Sequence, residues 1–457
     1  MEKSSRGNFA SKIGIVLATA GSSVGLGNIW RFPVETGQNG GAAFILIYLA
    51  CVIFLGVPMM TAEFVIGRHT HTDIASAYEQ LAGKKRSPWP LTGYAGMLCV
   101  TLILSYYAVV AGWVLRYAAS ALTGELSRVT NAASFFSSFS SSTWAPLIYT
   151  LAFILLTHII IVRGVQNGIE RFSKVMMPLL LLLMILLAVG STRMPGAAAG
   201  VEFLLKPDFS KITSGVVLSA LGQAFFSLSI AIGCLSTYAS YFKPDVLLMK
   251  TAANVVGIDT CVAILSGFII FPAVFSVEGV QPDAGPGLVF VTLPNIFNSL
   301  FAGMPIVGYV FSLMFYVLLV LAALTSTISM HEEVTAFFVD RYHTTRRRAA
   351  SNMTIVAMVL ATLCALSFGP LADFRPFFGR SFFDAFNDVT ALWIMPLSGI
   401  VLSIFVGWRL PKSLVIDELT NEGTLPCPRW LITVFFFLIR WVAPLAISLI
   451  FLNELLS

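Results

Sequence analysis

Apolar residues in this chain come in long runs separated by short polar stretches. Eleven runs stand out, at roughly 11–34, 41–67, 90–123, 144–162, 170–190, 213–241, 248–275, 305–340, 349–369, 386–408 and 429–452. A helix crosses the hydrocarbon core of a bilayer with about 20 mostly apolar residues, so each run is long enough to span. Strands of a membrane barrel would be about 10 residues long and alternate in polarity, which these runs do not. The pattern predicts an all-α membrane protein of eleven transmembrane helices.

Two runs depart from uniform apolarity. The first contains Gly21-Ser22-Ser23-Val24-Gly25-Leu26-Gly27-Asn28, and the sixth contains Ser227-Leu228-Ser229-Ile230-Ala231-Ile232-Gly233. Each glycine weakens a helix by about 1 kcal/mol, and unpaired backbone is not tolerated against lipid. Such stretches survive where they face a protein-lined cavity. Interrupted spans at matching positions of two halves point to a transporter site. Breaks in spans one and six therefore predict a single domain over 1–457 built as a 5+5 inverted repeat. Repeat one covers about 11–190 and repeat two about 213–408, with an extra helix at about 429–452. Close packing through Gly21-x-x-x-Gly25 is a competing reading of the first break. Packing alone has no use for the polar continuation Asn28-x-x-Arg31-Phe32-Pro33. A nucleotide-binding reading of the glycines is weak, because no strand precedes them and the segment is intramembrane.

Composition adds weight to the membrane reading. Of 457 residues, 57% are hydrophobic and 11% charged, against about 25% charged in soluble domains. Met1–Lys12 is a short basic leader, and the full-length run after it reads as a retained first span rather than a cleaved signal. Positive charge sorts by side. With the N-terminus inside, Lys3, Arg6, Lys12, Lys84–Arg86, Arg346–Arg348 and most other Lys and Arg fall on the inner side. Only Arg128, Arg193, Lys206, Lys211, Arg375 and Arg380 fall outside. This predicts a cytoplasmic N-terminus and an external C-terminus. The net charge of +5 is thus a topology signal, scattered over many loops, and does not indicate nucleic acid.

No outer loop holds a pair of the six cysteines, so no disulfide is expected. His69, His71, His158, His331 and His343 share no metal-ligand spacing, so no transition metal is expected. No nucleophile–base set appears in the spans, which argues against an enzyme. Three outer segments are longer: Glu125–Thr143 is Ser-rich and reads as flexible, Val277–Gly303 carries an apolar patch at 288–300 that fits a lid or re-entrant helix, and Phe374–Asp388 is aromatic and charged.

The stretch Gly21 to Pro33, followed by Asn39-Gly-Gly-Ala-Ala-Phe44, Glu63-Phe64 and Gly67-Arg68, resembles the neurotransmitter:sodium symporter family in its bacterial amino-acid branch. Gln223 to Ser229, Thr237 to Tyr241 and Leu324-Thr-Ser-Thr327 match the family's sixth and eighth spans. The resemblance covers nearly the whole chain. It implies a LeuT-like fold with discontinuous spans one and six, in the inner (cytoplasmic) membrane of a bacterium. It also implies sodium-coupled import of neutral, hydrophobic or aromatic L-amino acids by alternating access, by a monomer or weak homo-oligomer.

By this resemblance one sodium ion is held by the Ser23 backbone, Asn28, Ser227 and Asp259, and a second by carbonyls of Gly21, Val24 and Ala322 with the hydroxyls of Thr325 and Ser326. A hard cation wants such oxygens. Asp259 stands where a family member has Asn and brings a fixed negative charge, so no chloride requirement is expected; four residues on, where that member has Glu, this chain has Ala263. The substrate carboxylate is expected at the exposed N–H groups of Leu26 and Gly27, beside Gly25 and the Tyr107 hydroxyl, with its ammonium on Ser23 and the sixth-span carbonyls around Ser227. Its side chain would lie among Ile103, Tyr107, Val110, Phe226, Ser229, Ile232, Ser326 and Met330. Ala231 replaces a usual Gly in the break.

For the gates, the resemblance implies Arg31 paired with the tenth span at Asn387 or Asp388, and Arg6 paired with Asp340 near Tyr241, with Phe9 in place of a Trp. Glu63 is assigned to hydrogen-bonding the broken first helix, and Gly168 and Pro178 to unwinding of the fifth span. A proton-coupled transporter of the same fold and a non-cycling amino-acid sensor remain as alternatives. The Thr325-Ser326 pair favours sodium over the former.

Overall fold

The structure, a computed structural model, describes residues 7–83, 87–277 and 287–456. Arg6, the rest of the leader, Lys84–Arg86 and residues 278–286 lie outside the described residues. The described chain is helical, its one isolated bridge joining Phe377 to Arg380. Among the described residues nine helices are long and apolar enough to cross a membrane, or ten when one bent pair counts as a span. The sixth expected span is a pair of shorter helices, Ser214–Ser227 and Cys234–Ala239, which fall below that length. The expected total of eleven includes this element.

The bent pair is the first span. Ser11 caps its start, the hydroxyl accepting from the Gly14 N–H at 3.0 Å. Helix Lys12–Ser23 stops where Val24 turns extended (φ −66°, ψ 113°), and helical winding resumes over Gly27–Gln38 at 59° to the first piece. In the sixth element the chain leaves the helix after Ser227 and passes through three left-handed residues, Ser229 (φ 51°), Ala231 (φ 66°) and Gly233 (φ 99°). Only glycine takes that conformation without a steric cost of about 1–2 kcal/mol. Ala231, which the sequence placed at a usual glycine, adopts it nonetheless, with its N–H held 2.5 Å from Glu63 Oε1.

The first half-helix packs against spans Val165–Ser191, Leu248–Val274 and Pro305–Tyr342. Glu170 ties its start to the fifth span, accepting from the Ala10 N–H at 2.6 Å and the Ser11 hydroxyl at 3.0 Å. The fifth span itself stays wound. It opens with a wide turn over Val165–Glu170 that carries Gly168, and it contains Pro178 within Arg171–Ser191, so the expected unwinding is not present in this conformation.

Two of the longer segments are more ordered than their composition implies. Glu125–Thr143 contains helix Ala132–Ser140, capped by the Asn131 side chain, with Phe136 stacked on Phe290. The expectation of flexibility fails because the aromatic residues, rather than the serines, decide the packing. The apolar patch forms a helical segment at 288–300, pinned by the Tyr117 and Tyr316 hydroxyls, each donating at 2.8 Å to the Phe290 and Val289 carbonyls.

Candidate substrate and cation site

The two breaks lie side by side: the Ser23 hydroxyl donates to the Leu228 carbonyl at 3.3 Å. Around this junction two clusters of buried oxygens form. In one, the Thr325 hydroxyl lies 2.9 Å from the Ala322 carbonyl and 3.3 Å from that of Val24, and the Ser326 hydroxyl lies 3.1 Å from Val24 O. Gly21 packs on Thr325; a β-carbon there would sit 3.3 Å from Thr325 Cβ. All five residues expected at the second sodium site are therefore brought together and buried. Val24 is extended, so its carbonyl is free of the helical ladder and open to these hydroxyls.

The other cluster joins the first, sixth and seventh spans. Asn28 donates through Nδ2 to Asp259 Oδ1 at 2.8 Å and to Ser227 Oγ at 3.0 Å. Ser227 donates to Asp259 Oδ2 at 2.8 Å, and the Gly25 N–H donates to Asn28 Oδ1 at 3.0 Å. Tyr48 stands beside the same carboxylate. Asp259 is fully buried and faces no Lys or Arg among the described residues. An uncompensated carboxylate in a span costs about 2.5–3.5 kcal/mol even on the mildest scale. One detail corrects the expectation. Asn28 presents its amide nitrogen to this cluster, because a carboxylate draws the donor end; to ligate a cation through oxygen the amide has to turn over.

Above these clusters is a cavity of about 490 Å³. Leu26, Gly27, Tyr107, Val110 and Phe226 line it together with Trp30, Arg31, Tyr106 and Asn387. At its floor the Leu26 N–H donates to the Tyr107 hydroxyl at 3.1 Å. A β-carbon on Gly25 would meet both that hydroxyl and Ser326 Oγ, and one on Gly27 would meet the Phe226 ring. Ile103, Ile232 and Met330 are buried and Ser229 lies in the break, but none of the four lines this cavity. Ile232 borders a separate void of about 10 Å³ beside Glu63. The expected side-chain pocket is thus only partly continuous with the open cavity.

The gates differ from expectation. Arg31 does not reach across the cavity. Its guanidinium sits 4.3 Å from the Phe226 ring centre, and its Nε is 3.4 Å from Glu35, one helical turn away. Asp388 is engaged by Arg380 at 3.3 Å, while Asn387 faces the cavity. The Arg31–Asp388 pair is therefore not formed, because each partner has a nearer opposite charge. At the other end, Arg6 lies outside the described residues, and Asp340 accepts from the Asp73 N–H at 2.8 Å. Phe9 is fully buried among Tyr238, Tyr241 and Phe242, which closes that end. The Tyr241 hydroxyl donates to Glu332 at 2.7 Å, and Arg346 pairs with the same carboxylate.

Glu63 also does something other than expected. It accepts from the Ala231 N–H, the Ser236 N–H at 3.2 Å and the Ser236 hydroxyl at 3.2 Å. These are groups of the sixth-span break, not the first. Left-handed Ala231 turns its N–H out of the helical ladder, Ser236 lies in the first turn of the resumed helix where N–H groups have no helical partner, and Glu63 collects both. Glu332 and Glu333 escaped the sequence reading, and Arg346 entered it only as an inner-side charge, although two adjacent acids inside an apolar run are themselves a signal of a functional position.

A helical bundle whose two broken segments lie side by side, with carbonyls and hydroxyls turned to one buried junction, is the architecture of a secondary transporter. The sequence profile of the sodium:neurotransmitter symporter family matches residues 6–143 and 128–457. An uncharacterized sodium-dependent transporter of Bacillus subtilis, YhdH, is 39% identical over 447 residues, covering 97% of each chain. The sodium- and chloride-dependent taurine transporter of Bos taurus is 25% identical over 445 residues, covering 85% of this chain and 70% of its own. The crystal structure of MhsT in complex with L-phenylalanine matches with a TM-score of 0.88 at 39% identity, over 98% of this chain and 100% of that one. The chain belongs to the sodium:neurotransmitter symporter family, and it is a multi-pass, sodium-dependent transporter rather than an enzyme.

Proposed function

We propose that this protein couples sodium entry to the import of neutral L-amino acids with hydrophobic or aromatic side chains, by alternating access. The observation that carries the substrate class is the Leu26 N–H against the Tyr107 hydroxyl at the floor of the cavity, beside a glycine at position 25. Two donors suit a carboxylate, and glycine at position 25 leaves the Tyr107 hydroxyl clear of a side chain that would collide with it. The walls above are apolar apart from Arg31 and Asn387, which suits an uncharged side chain. L-Phenylalanine in MhsT supports the aromatic end of this range.

The two oxygen clusters are the proposed sodium sites. Ser23, Asn28, Ser227 and Asp259 make the first; Gly21, Val24, Ala322, Thr325 and Ser326 make the second. Asp259 supplies the negative charge that would otherwise come from an anion, so transport is proposed to be independent of chloride. The open cavity is the outward face, and the plug around Phe9 closes the cytoplasmic face, with the N-terminus inside. The membrane is proposed to be the bacterial inner membrane, and the two five-helix repeats to rock about the broken spans.

The test is uptake of a panel of neutral amino acids into proteoliposomes, with sodium or potassium outside. Uptake of hydrophobic amino acids in sodium alone is expected. Equal uptake in both salts would defeat sodium coupling and favour a proton-driven relative. Sodium-dependent binding without flux would favour a sensor.

A further inference from the structure

Glu333, on span Pro305–Tyr342, has no part in the scheme above, yet it is fully buried and neither carboxyl oxygen has a hydrogen-bond partner among the described residues. It sits against the point where the sixth element resumes its helix. A β-carbon on Gly233 would collide with Glu333 Oε1, and one on Gly96 of span Pro90–Leu122 would lie 3.8 Å from it. The titratable groups that face it are Glu63 from the second span, Asp73 at the start of helix Ile74–Ala82, Cys99 from the third span and Cys234 from the sixth. None of these is a cation. The neighbouring Glu332 is by contrast paired with Arg346.

Two acids this close in a dry interior do not both ionise. Hydrogen bonding decides between them. Glu63 receives two N–H groups and a hydroxyl, which suits a carboxylate that only accepts. Glu333 has only the weakly donating Cys234 thiol beside it, and as an anion it would be a nearly bare charge in low dielectric.

We propose that Glu333 is a proton-binding site tied to the transport cycle. It holds its proton while the Cys234–Ala239 half-helix is packed on it. It gives the proton to cytoplasmic water when that half-helix moves, and it must take one back before the cytoplasmic face closes. In the release step the O–H bond breaks, the electron pair stays on the carboxylate and the proton leaves on water. A void of about 10 Å³ bordered by Glu63, Gly96 and Gly233, large enough for about one water, lies where that water would enter. Release and uptake face the same side, so no net proton crosses. The return of the empty carrier nonetheless requires a cytoplasmic proton. This inference rests on the alternating-access reading.

The test uses the full chain in proteoliposomes at fixed external pH, with internal pH stepped from mildly acidic to mildly alkaline. Net sodium-driven uptake of L-phenylalanine is expected to fall several-fold as internal pH rises. Exchange of internal for external L-phenylalanine also requires the cytoplasmic face to close and is expected to fall with it, whereas binding of L-phenylalanine from the outer side is expected to stay level. Glu333→Gln should flatten the net-uptake profile, and Glu333→Asp, the second variant if the first does not fold, should move its midpoint. A level wild-type profile overturns the proposal, as does a profile that neither variant changes. Absence of sodium-driven uptake at every internal pH would instead defeat the transport reading. Infrared spectra of the purified protein then still judge Glu333: a protonated-carboxyl band lost in E333Q is expected, and its absence from the wild type overturns the site.

Discussion

Asn28 and Asp259 meet across the first and seventh spans, amide nitrogen to carboxylate oxygen at 2.8 Å, with Ser227 bonded to both. That triad joins the first break to the end of the sixth-span helix and puts a carboxyl group at the junction. In the proposed scheme a bound sodium ion offsets a negative charge on Asp259, and that charge stands in for a separate anion. Asp259→Asn keeps the shape and one amide donor but deletes the charge. The expected outcome is a sodium affinity at least tenfold weaker, about 1.4 kcal/mol, with partial rescue by chloride. Sodium titration of L-phenylalanine binding in chloride and in gluconate measures both, and an unshifted titration would count against Asp259 as a ligand.

The Glu63 carboxylate collects the N–H of left-handed Ala231 and that of Ser236 in the first turn of the resumed helix. Glu63→Ala leaves two N–H groups buried without acceptors, each costing about 1–3 kcal/mol, while the Ser236 hydroxyl keeps the Glu63 carbonyl at 3.2 Å. A loss of at least about 2 kcal/mol is expected, seen as a large fall in Tm of the detergent-solubilised protein. Glu63→Gln should fall between the two, since its amide end turns a donor toward N–H groups. A Tm unchanged in the alanine variant would mean that these donors find other partners.

How much of this was legible beforehand depends on whether a residue's role is local. The first break was readable because Gly21, Gly25 and Gly27 with Ser22 and Ser23 weaken the helix at one place in the chain. The Thr325 and Ser326 hydroxyls were singled out only through the resemblance to the symporter family, since adjacent hydroxyls in a span ordinarily bond back to their own helix; in the fold both lie near the Val24 carbonyl freed by that break. Glu63 was assigned to the wrong break because a carboxylate in one span reports only that donors exist somewhere, and the positive φ of Ala231 and the resumed helix at Ser236 create those donors only after folding. The gate failed for a related reason. Spacing locates Asn387 and Asp388 within a turn of each other, but Arg380 and Glu35 decide which charges are already taken.

That competition yields a prediction of its own. Asp388 is occupied by Arg380, whereas Asn387 lines the cavity with Arg31. Closing the outer face should bring Arg31 toward Asn387 first. Asn387→Ala is expected to slow L-phenylalanine trapping several-fold, and Asp388→Ala to change it less than twofold. Dissociation rates of labelled substrate decide the order, and the reverse ranking would restore Asp388 as the partner.

The Tyr107 hydroxyl is already bonded to the Leu26 N–H, so it is oriented before any substrate arrives. A hydrogen bond to a charged group contributes about 1.5–3 kcal/mol. Tyr107→Phe should therefore weaken amino-acid binding about tenfold to a hundredfold while leaving the fold intact. The same variant should affect all neutral amino acids alike, because it acts on the carboxylate they share. A loss confined to aromatic substrates would place Tyr107 against the side chain instead.

Thr325 and Ser326 share the Val24 carbonyl but are not equivalent. The Thr325 hydroxyl lies 2.9 Å from the Ala322 carbonyl, against 3.4 Å for Ser326, and it packs on Gly21. It is the better placed of the two to face both the first-span and eighth-span carbonyls at once. Thr325→Val keeps the branched shape and removes one oxygen from a set of five residues, too few for a hard cation to lose one without penalty. Sodium-driven flux is expected to fall by at least tenfold. Binding of L-phenylalanine at saturating sodium should persist, because the carboxylate seat and the Asp259 cluster are untouched. Ser326→Ala should cost substrate affinity as well, since Ser326 Oγ lies beside the space at Gly25. Equal losses of binding in both variants would show that the two oxygen clusters fill as one unit, and the separation into two sodium sites would then have to be given up.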